Sequence, residues 1–298
     1  MQRRQSSRLL VSLVALVLGT GALAAQKVAL PNQPDSLKFA IIGDSGTGGS
    51  AQIKIANRLW QSHATFPYEF VLMMGDNLYI GSSDSAFQKG FEKPYKPILD
   101  AGIKFYAALG NHDNANEKMY KPFNMNGERF YTFKPKPGFR IFALDSNYMD
   151  RSQLDWLEKE LAASGSDWKI AFFHHPLYSS GGAHGSNLPL REQLEPLFLK
   201  YGVDAVFAGH EHFYERIKPQ KGIYYFISGG AAKLREGDVG RSELTAKAFD
   251  TGYHFMLLEI VKDTLNFQVI SDSGDTVDSG AFTKYSDAEK KKAAGAAK

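Results

Sequence analysis

The chain has 298 residues, no cysteine, 43% hydrophobic and 13% aromatic residues, and a formal charge of +3 from 35 basic and 32 acidic side chains. Disulfides, thiolate metal ligands and a lipid-anchored cysteine are thereby excluded. One large core is within reach of such a composition, and no proline- or serine-rich linker divides the chain.

Arg3, Arg4 and Arg8 open the sequence and precede an apolar stretch, Leu9 to Leu18, followed by Ala22-Leu23-Ala24. This pattern predicts a signal peptide over residues 1–25, cleaved after Ala24 or Ala25, because the apolar stretch is too short to span a bilayer. The expected destination is secreted or periplasmic, with no stable membrane anchor after cleavage. Arg3-Arg4 raises the twin-arginine route, but the residues after the pair fit that signal poorly. Beyond residue 25 the charges balance at 32 of each sign, so the basic balance indicates no nucleic acid partner. Nothing in the pattern sets an oligomeric state.

After an extension over residues 26–37, a single domain is predicted over residues 38–282. Short apolar runs predict strands at 38–42, 70–74, 104–109, 139–144, 169–173 and 205–208. Between them, helices are predicted at 51–62, 86–99, 151–163 and 190–201, the second bent or broken by Pro94 and Pro97. Leu154, Leu157 and Leu161 give the third a single apolar stripe. Alternation of this kind implies an α/β fold of helix-covered sheets. From Phe213 onward, strands at 224–228, 255–261, 265–270 and 276–282 follow, the last two joined by the Ser-Asp-Ser-Gly-Asp turn. That turn lacks the ligand pattern of an EF-hand loop. The tail at 283–298 is polar, alanine-rich and expected to be disordered.

The run AIIGDSGTGG (residues 40–49) admits two readings. Gly46-x-Gly48-x-x-Ala51 satisfies the letter of a dinucleotide-binding turn, whereas Asp44 satisfies a different pattern that recurs along the chain. Apolar residues run into glycine and a metal-capable side chain at Asp44, Asp76, Asn111 and His210, and a fifth run ends directly in His174-His175. If each run is a strand, these side chains emerge at carboxyl ends of strands, where open α/β sheets place their sites. With His212 and Tyr79 the set mixes carboxylate, imidazole, amide and phenol, more than one ion requires, and suits two metals about 3.5–4 Å apart. Strand-like alternation at His210-Glu211-His212 would send both rings to the same side, serving neighbouring ions.

The order GDSG (43–46), GDNLY (75–79), GNHD (110–113), FFHHP (172–176) and GHEH (209–212) resembles the motif series of purple acid phosphatases, the small tartrate-resistant-acid-phosphatase-like kind, within the calcineurin-like metallophosphoesterases. The resemblance spans about residues 38–230. It implies a four-layer α/β/β/α sandwich of two mixed sheets and acid phosphatase activity on small phosphate monoesters, by attack of a metal-bound hydroxide. It further implies an Fe(III) site of Asp44, Asp76, Tyr79 and His212, and a second site for a divalent metal, Fe(II), Zn(II) or Mn(II), of Asp76, Asn111, His174 and His210. Asp76 would bridge the ions. His112 and His184 correspond to the family's phosphate-binding and proton-supplying histidines. Phosphodiester or nucleotide hydrolysis, or a non-catalytic metal-binding role, are the alternative functions, and the dinucleotide reading leaves the other strand-end residues unexplained. His175 reads as a packed neighbour of the site, Asp113 as orienting a histidine ring, His63 as a surface residue and His254 as a core residue.

Overall fold

The computed structural model describes residues 27–286, 288–290 and 292. The expected signal peptide lies outside the described residues. In chain order the elements are β1 (Leu37–Ile42), α1 (Ser50–His63), β2 (Phe70–Met73), α2 (Asp84–Phe87), α3 (Lys96–Asp100), β3 (Lys104–Ala107), β4 (Tyr131–Phe133), β5 (Phe139–Ala143), α4 (Arg151–Ala162), β6 (Trp168–Phe173), α5 (Leu188–Tyr201), β7 (Ala205–Ala208), β8 (Tyr214–Ile217), β9 (Tyr224–Ser228), β10 (Thr245–Phe249), β11 (His254–Val261), β12 (Thr264–Ser271) and β13 (Thr276–Thr283).

Two mixed sheets result, with strand orders β13-β12-β11-β1-β2-β3 and β10-β8-β9-β7-β6-β5-β4. Parallel pairing runs through β1-β2-β3 in one and β5-β6-β7-β9 in the other, and antiparallel strands close both edges of the second sheet and one edge of the first. Alternation along each strand sorts the side chains into layers. Leu37, Phe39 and Ile41 of β1 meet Ile170 and Phe172 of β6 and Phe207 of β7 between the sheets. Ala40 and Ile42 face outward against Ile55 and Leu59 of α1. Ala171 and Phe173 face the other way, against Leu157 and Leu161 of α4 and Leu194 and Phe198 of α5. The expected four-layer sandwich is therefore present, and both faces of β1, β2, β6, β7 and β9 are buried, which explains their nearly unbroken apolar runs.

The helix predicted over 86–99 is broken, as its prolines led us to expect. A four-residue α2 passes into a π-helical turn at Gln88–Glu92 and restarts as α3, with Pro97 near the start of α3. Strands β4, β8 and β10 were not predicted. They are edge or near-edge strands of three to five residues whose polar positions interrupt any apolar run. The extension is tied down: backbone N–H groups of Asn32 and Gln33 donate to Glu259 at 2.6 Å each. Past β13, Tyr285 stacks on Tyr224 and Lys290 pairs with buried Asp204, so the start of the polar tail is anchored by an aromatic contact and an ion pair. Among the described residues no helix is long and apolar enough to cross a membrane.

Candidate metal centre

Five parallel strands end on one edge, and each delivers a motif residue there. Strand β1 is followed by Gly43-Asp44, β2 by Met74-Gly75-Asp76, β3 by Ala108-Leu109-Gly110-Asn111, β6 by His174 and β7 by Gly209-His210. The chain must turn sharply past its neighbours at this edge. A Cβ on Gly110 would lie 2.1 Å from Asp76 Oδ1, and one on Gly209 would lie 2.6 Å from Asp44 Oδ2. Glycine is required at both because the carboxylates occupy that space. Asp44, Asp76 and His210 adopt left-handed φ values of 56°, 51° and 70°. Such strain costs on the order of 1–3 kcal/mol per residue and is retained where it aims a functional side chain.

Asp44, Asp76 and His212 converge with ligand-capable atoms within 4.8 Å of one another. Asp44 Oδ1 accepts the Tyr79 hydroxyl at 3.1 Å and lies 3.4 Å from His212 Nε2, which is itself 3.3 Å from the Tyr79 oxygen. Beside them, His174 Nε2 lies 3.0 Å from Asn111 Oδ1, 3.1 Å from His210 Nδ1 and 3.4 Å from Asp76 Oδ1. The other ring nitrogen of His174 is 2.9 Å from the Met74 carbonyl oxygen, so it donates there and Nε2 is left as an acceptor facing the cluster. All seven candidate ligands therefore meet at one place, with Asp76 between the two groups.

Electrostatically the cluster is suited to cations. Asp44 and Asp76 are buried, and among the described residues neither has a lysine or arginine partner. Burial, then the charge of Asp76, pushes the Asp44 carboxyl well above the ordinary carboxylate range. Burial holds His210 down to about 2 and His212 down to about 4, and it lowers His174 strongly. Neutral imidazoles with inward lone pairs are the form that binds metal, and two facing carboxylates are relieved by a cation. The donor set fits two ions, one on the carboxylate–phenol side and one on the imidazole–amide side.

Around this centre, His112 donates its backbone N–H to Asp76 Oδ1 at 2.9 Å, and its exposed ring lies 4.9 Å from the Tyr79 ring. The ring of His184 is 4.2 Å from that of His210. Several expectations change. His210 and His212 sit in an irregular turn after β7, so their convergence comes from the left-handed φ at His210 and not from strand alternation. Asp113 orients no histidine; it accepts N–H groups from Gly110 and Leu78 and the Asn77 amide, locking the second and third loops together. A Cβ on Gly46 would fall 1.8 Å from the Asn77 carbonyl oxygen, so that glycine lets the first loop lie on the second. His254 is in the core as expected, whereas His63 is partly covered, stacked on Trp60.

Sequence reasoning passed over Lys233 and Arg235. The Lys233 ammonium lies 4.5 Å over the Tyr79 ring, and Arg235 meets His184 Nε2 at 3.2 Å and Glu211 at 3.7 Å. Buried Glu211 also accepts the Gly185 N–H at 2.6 Å, fixing the loop that carries His184. The only sequence signal was the Ser-Gly-Gly at the end of β9, which returns the chain to the same edge.

A two-sheet sandwich that gathers carboxylates, a phenol, an amide and imidazoles at its strand ends defines a metal-dependent phosphoesterase architecture. The profile of the calcineurin-like phosphoesterase family matches residues 37–214, and the chain belongs to that family. It is 28% identical over 236 residues to mouse tartrate-resistant acid phosphatase type 5, covering 65% of this chain and 72% of that protein. Arabidopsis thaliana purple acid phosphatase 7 is 28% identical over 291 residues, covering 84% and 87%. Among solved structures, GAP50, the anchor in the inner membrane complex of Plasmodium, superposes with a TM-score of 0.72 at 20% identity, covering 88% of this chain and 94% of that one. That last likeness concerns the fold alone, since an anchor and the phosphatases share it. Together, family, relatives and cluster support a metal-dependent phosphatase.

Proposed function

We propose that the chain is an exported acid phosphatase that hydrolyses small phosphate monoesters at a binuclear centre. The observation that carries this reading is the Tyr79 hydroxyl placed against Asp44 and His212, beside the Asp76–Asn111–His174–His210 group. A phenolate is a hard ligand, so Fe(III) is assigned to Asp44, Asp76, Tyr79 and His212. The divalent ion, Fe(II), Zn(II) or Mn(II), is assigned to Asp76, Asn111, His174 and His210. When bound, such a pair lowers the pKa of water and neutralises charge on the phosphoryl oxygens.

The chain's own residues do the rest. His112, held by its N–H to Asp76, presents an exposed ring to the phosphate. Lys233 and Arg235 add positive charge that attracts the dianionic ester to the Tyr79 and His184 sides of the mouth. His184 is assigned to hand a proton to the departing alcohol, which requires its Nε2 to leave the Arg235 guanidinium that donates to it here, and Glu211 fixes its loop. His210 and His212 remain neutral at mildly acidic pH, as metal binding in an acid phosphatase demands. The basic-apolar-small pattern of residues 1–25 supports export. An anchoring role on the same fold is disfavoured because all seven ligand positions are filled by competent donors.

Turnover of p-nitrophenyl phosphate against bis(p-nitrophenyl) phosphate, measured from acidic to neutral pH with metals supplied, tests the proposal. The monoester is expected to be the better substrate, with its optimum on the acidic side. Preference for the diester would replace this reading with phosphodiesterase activity, and inactivity of fully loaded protein would favour a non-catalytic role.

A further inference from the structure

A cavity of about 410 Å³ opens beside the divalent half of the cluster, bordered by Asn111, Ser146, Asn147, Tyr148, His175 and Asn187. That is the size of a small-molecule subsite. Asn111 belongs to both the cluster and the cavity wall, so an ester held at the metals can place its alcohol here without crossing bulk solvent.

The wall is preset in some places and uncommitted in others. Ser146 Oγ accepts the His175 backbone N–H at 3.0 Å and lies 2.9 Å from His175 Nδ1, which fixes that ring. The Asn147 amide nitrogen is spent on the Leu109 and Gly110 carbonyls and on Asp145, leaving its carbonyl oxygen as an acceptor. Asn187 caps α5 through its side-chain oxygen, and among the described residues its amide nitrogen has no partner. Tyr148 is 66% exposed at the rim, with the Arg129 guanidinium 5.9 Å from its ring centroid, so one further ring can stack on it only from the side away from Arg129. Among the described residues no lysine or arginine lines the cavity: Arg129 behind Tyr148 is committed to Asp145 and Asp150, Lys233 stands over Tyr79 and Arg235 at His184. The acids that do border it are engaged, Asp145 with Arg129 at 2.8 Å and Asp113 with backbone N–H groups. A second anionic group would find acids and no free cation there, whereas hydroxyls would find a free acceptor, a free donor and an aromatic surface.

We propose that this cavity receives the alcohol half of the ester, and that the preferred alcohol is an uncharged ring carrying further hydroxyls, stacked on Tyr148. The proposal rests on the phosphatase reading and adds a substrate class to it.

The test compares kcat/KM for glucose 6-phosphate, ethyl phosphate, phenyl phosphate and fructose 1,6-bisphosphate in the metal-loaded wild type and in Tyr148→Ala and His175→Ala. The wild type is expected to favour glucose 6-phosphate over the other three. Tyr148→Ala should lower the glucose 6-phosphate to ethyl phosphate ratio by about fivefold to tenfold, the scale of an aromatic stacking contact. Inorganic phosphate inhibition and bound-metal count in the variants report whether the centre itself survives. Equal losses on glucose 6-phosphate and ethyl phosphate, with that centre intact, would overturn the subsite while sparing the phosphatase reading. Preference for the bisphosphate would place the alcohol toward Lys233 and Arg235 instead, and preference for phenyl phosphate would overturn the hydroxyl requirement. No turnover of any ester would overturn both readings.

Discussion

The two halves of the cluster are built from different donors and meet solvent differently. Asp44, Tyr79 and His212 supply a carboxylate, a phenol and one imidazole, with Asp44 fully buried and Lys233 closing over the tyrosine ring. Asn111, His174 and His210 supply an amide and two imidazoles, with Asn111 exposed and a cavity at its side. Harder donors in the closed half and borderline donors in the open half favour two unlike ions. In the proposed reaction the open half, with the cavity at its side, is where the alcohol departs.

Substitutions can break that comparison, and the largest effect belongs to the closed half. Tyr79→Phe removes the only phenol among the seven candidate ligands and keeps the ring, so the visible absorption of the iron-loaded protein should vanish; a preserved band would remove Tyr79 from the ligand set. In the open half, Asn111→Ala should weaken binding of the divalent ion by roughly tenfold or more, about 1.4 kcal/mol, while leaving the iron band in place. Unchanged stoichiometry in titrations of the metal-free protein would show that Asn111 is not a ligand.

The effect least tied to the metals lies behind both halves, at His254. Its ring is fully buried among Tyr214, Phe249 and Gly230, and burial holds it down to about 4. A histidine depressed in the folded state takes up its proton only on unfolding between that value and the ordinary value of about 6.5, so stability is complete above pH 6.5 and declines as pH falls toward 4. This one group should cost about 1–2 kcal/mol between neutral pH and pH 5. As pH falls across that window, the melting temperature of metal-free wild type should drop relative to that of His254→Leu; parallel curves would assign the loss to other groups.

Much of this was legible because β1, β2, β6 and β7 are buried on both faces. Such strands read as apolar runs, and each run stops where the chain leaves the sheet, so they announced both themselves and the residues at their ends; β3, at a sheet edge, was legible from the apolar residues that continue past it to Leu109. The edge strands β4 and β10, with partly exposed faces, and their near-edge companion β8, whose buried run is broken by Glu215 and Arg216, were illegible for the opposite reason. Within the site, Asp44, Asp76 and His210 could be found from the glycine beside each. The left-handed turns that aim them could not, because φ is set by packing around the carboxylates. Lys233 and Arg235 reach the cluster on a segment with no regular element, and their partners Tyr79 and His184 lie far away in sequence.

The central claim is that two unlike ions share Asp76. Metal analysis of the purified protein, taken with its visible spectrum, tests it most directly. Two ions per chain, one of them iron, and an absorption band that depends on Tyr79 are expected. A fully active protein that holds a single ion, or that contains no iron and shows no band, would contradict the account.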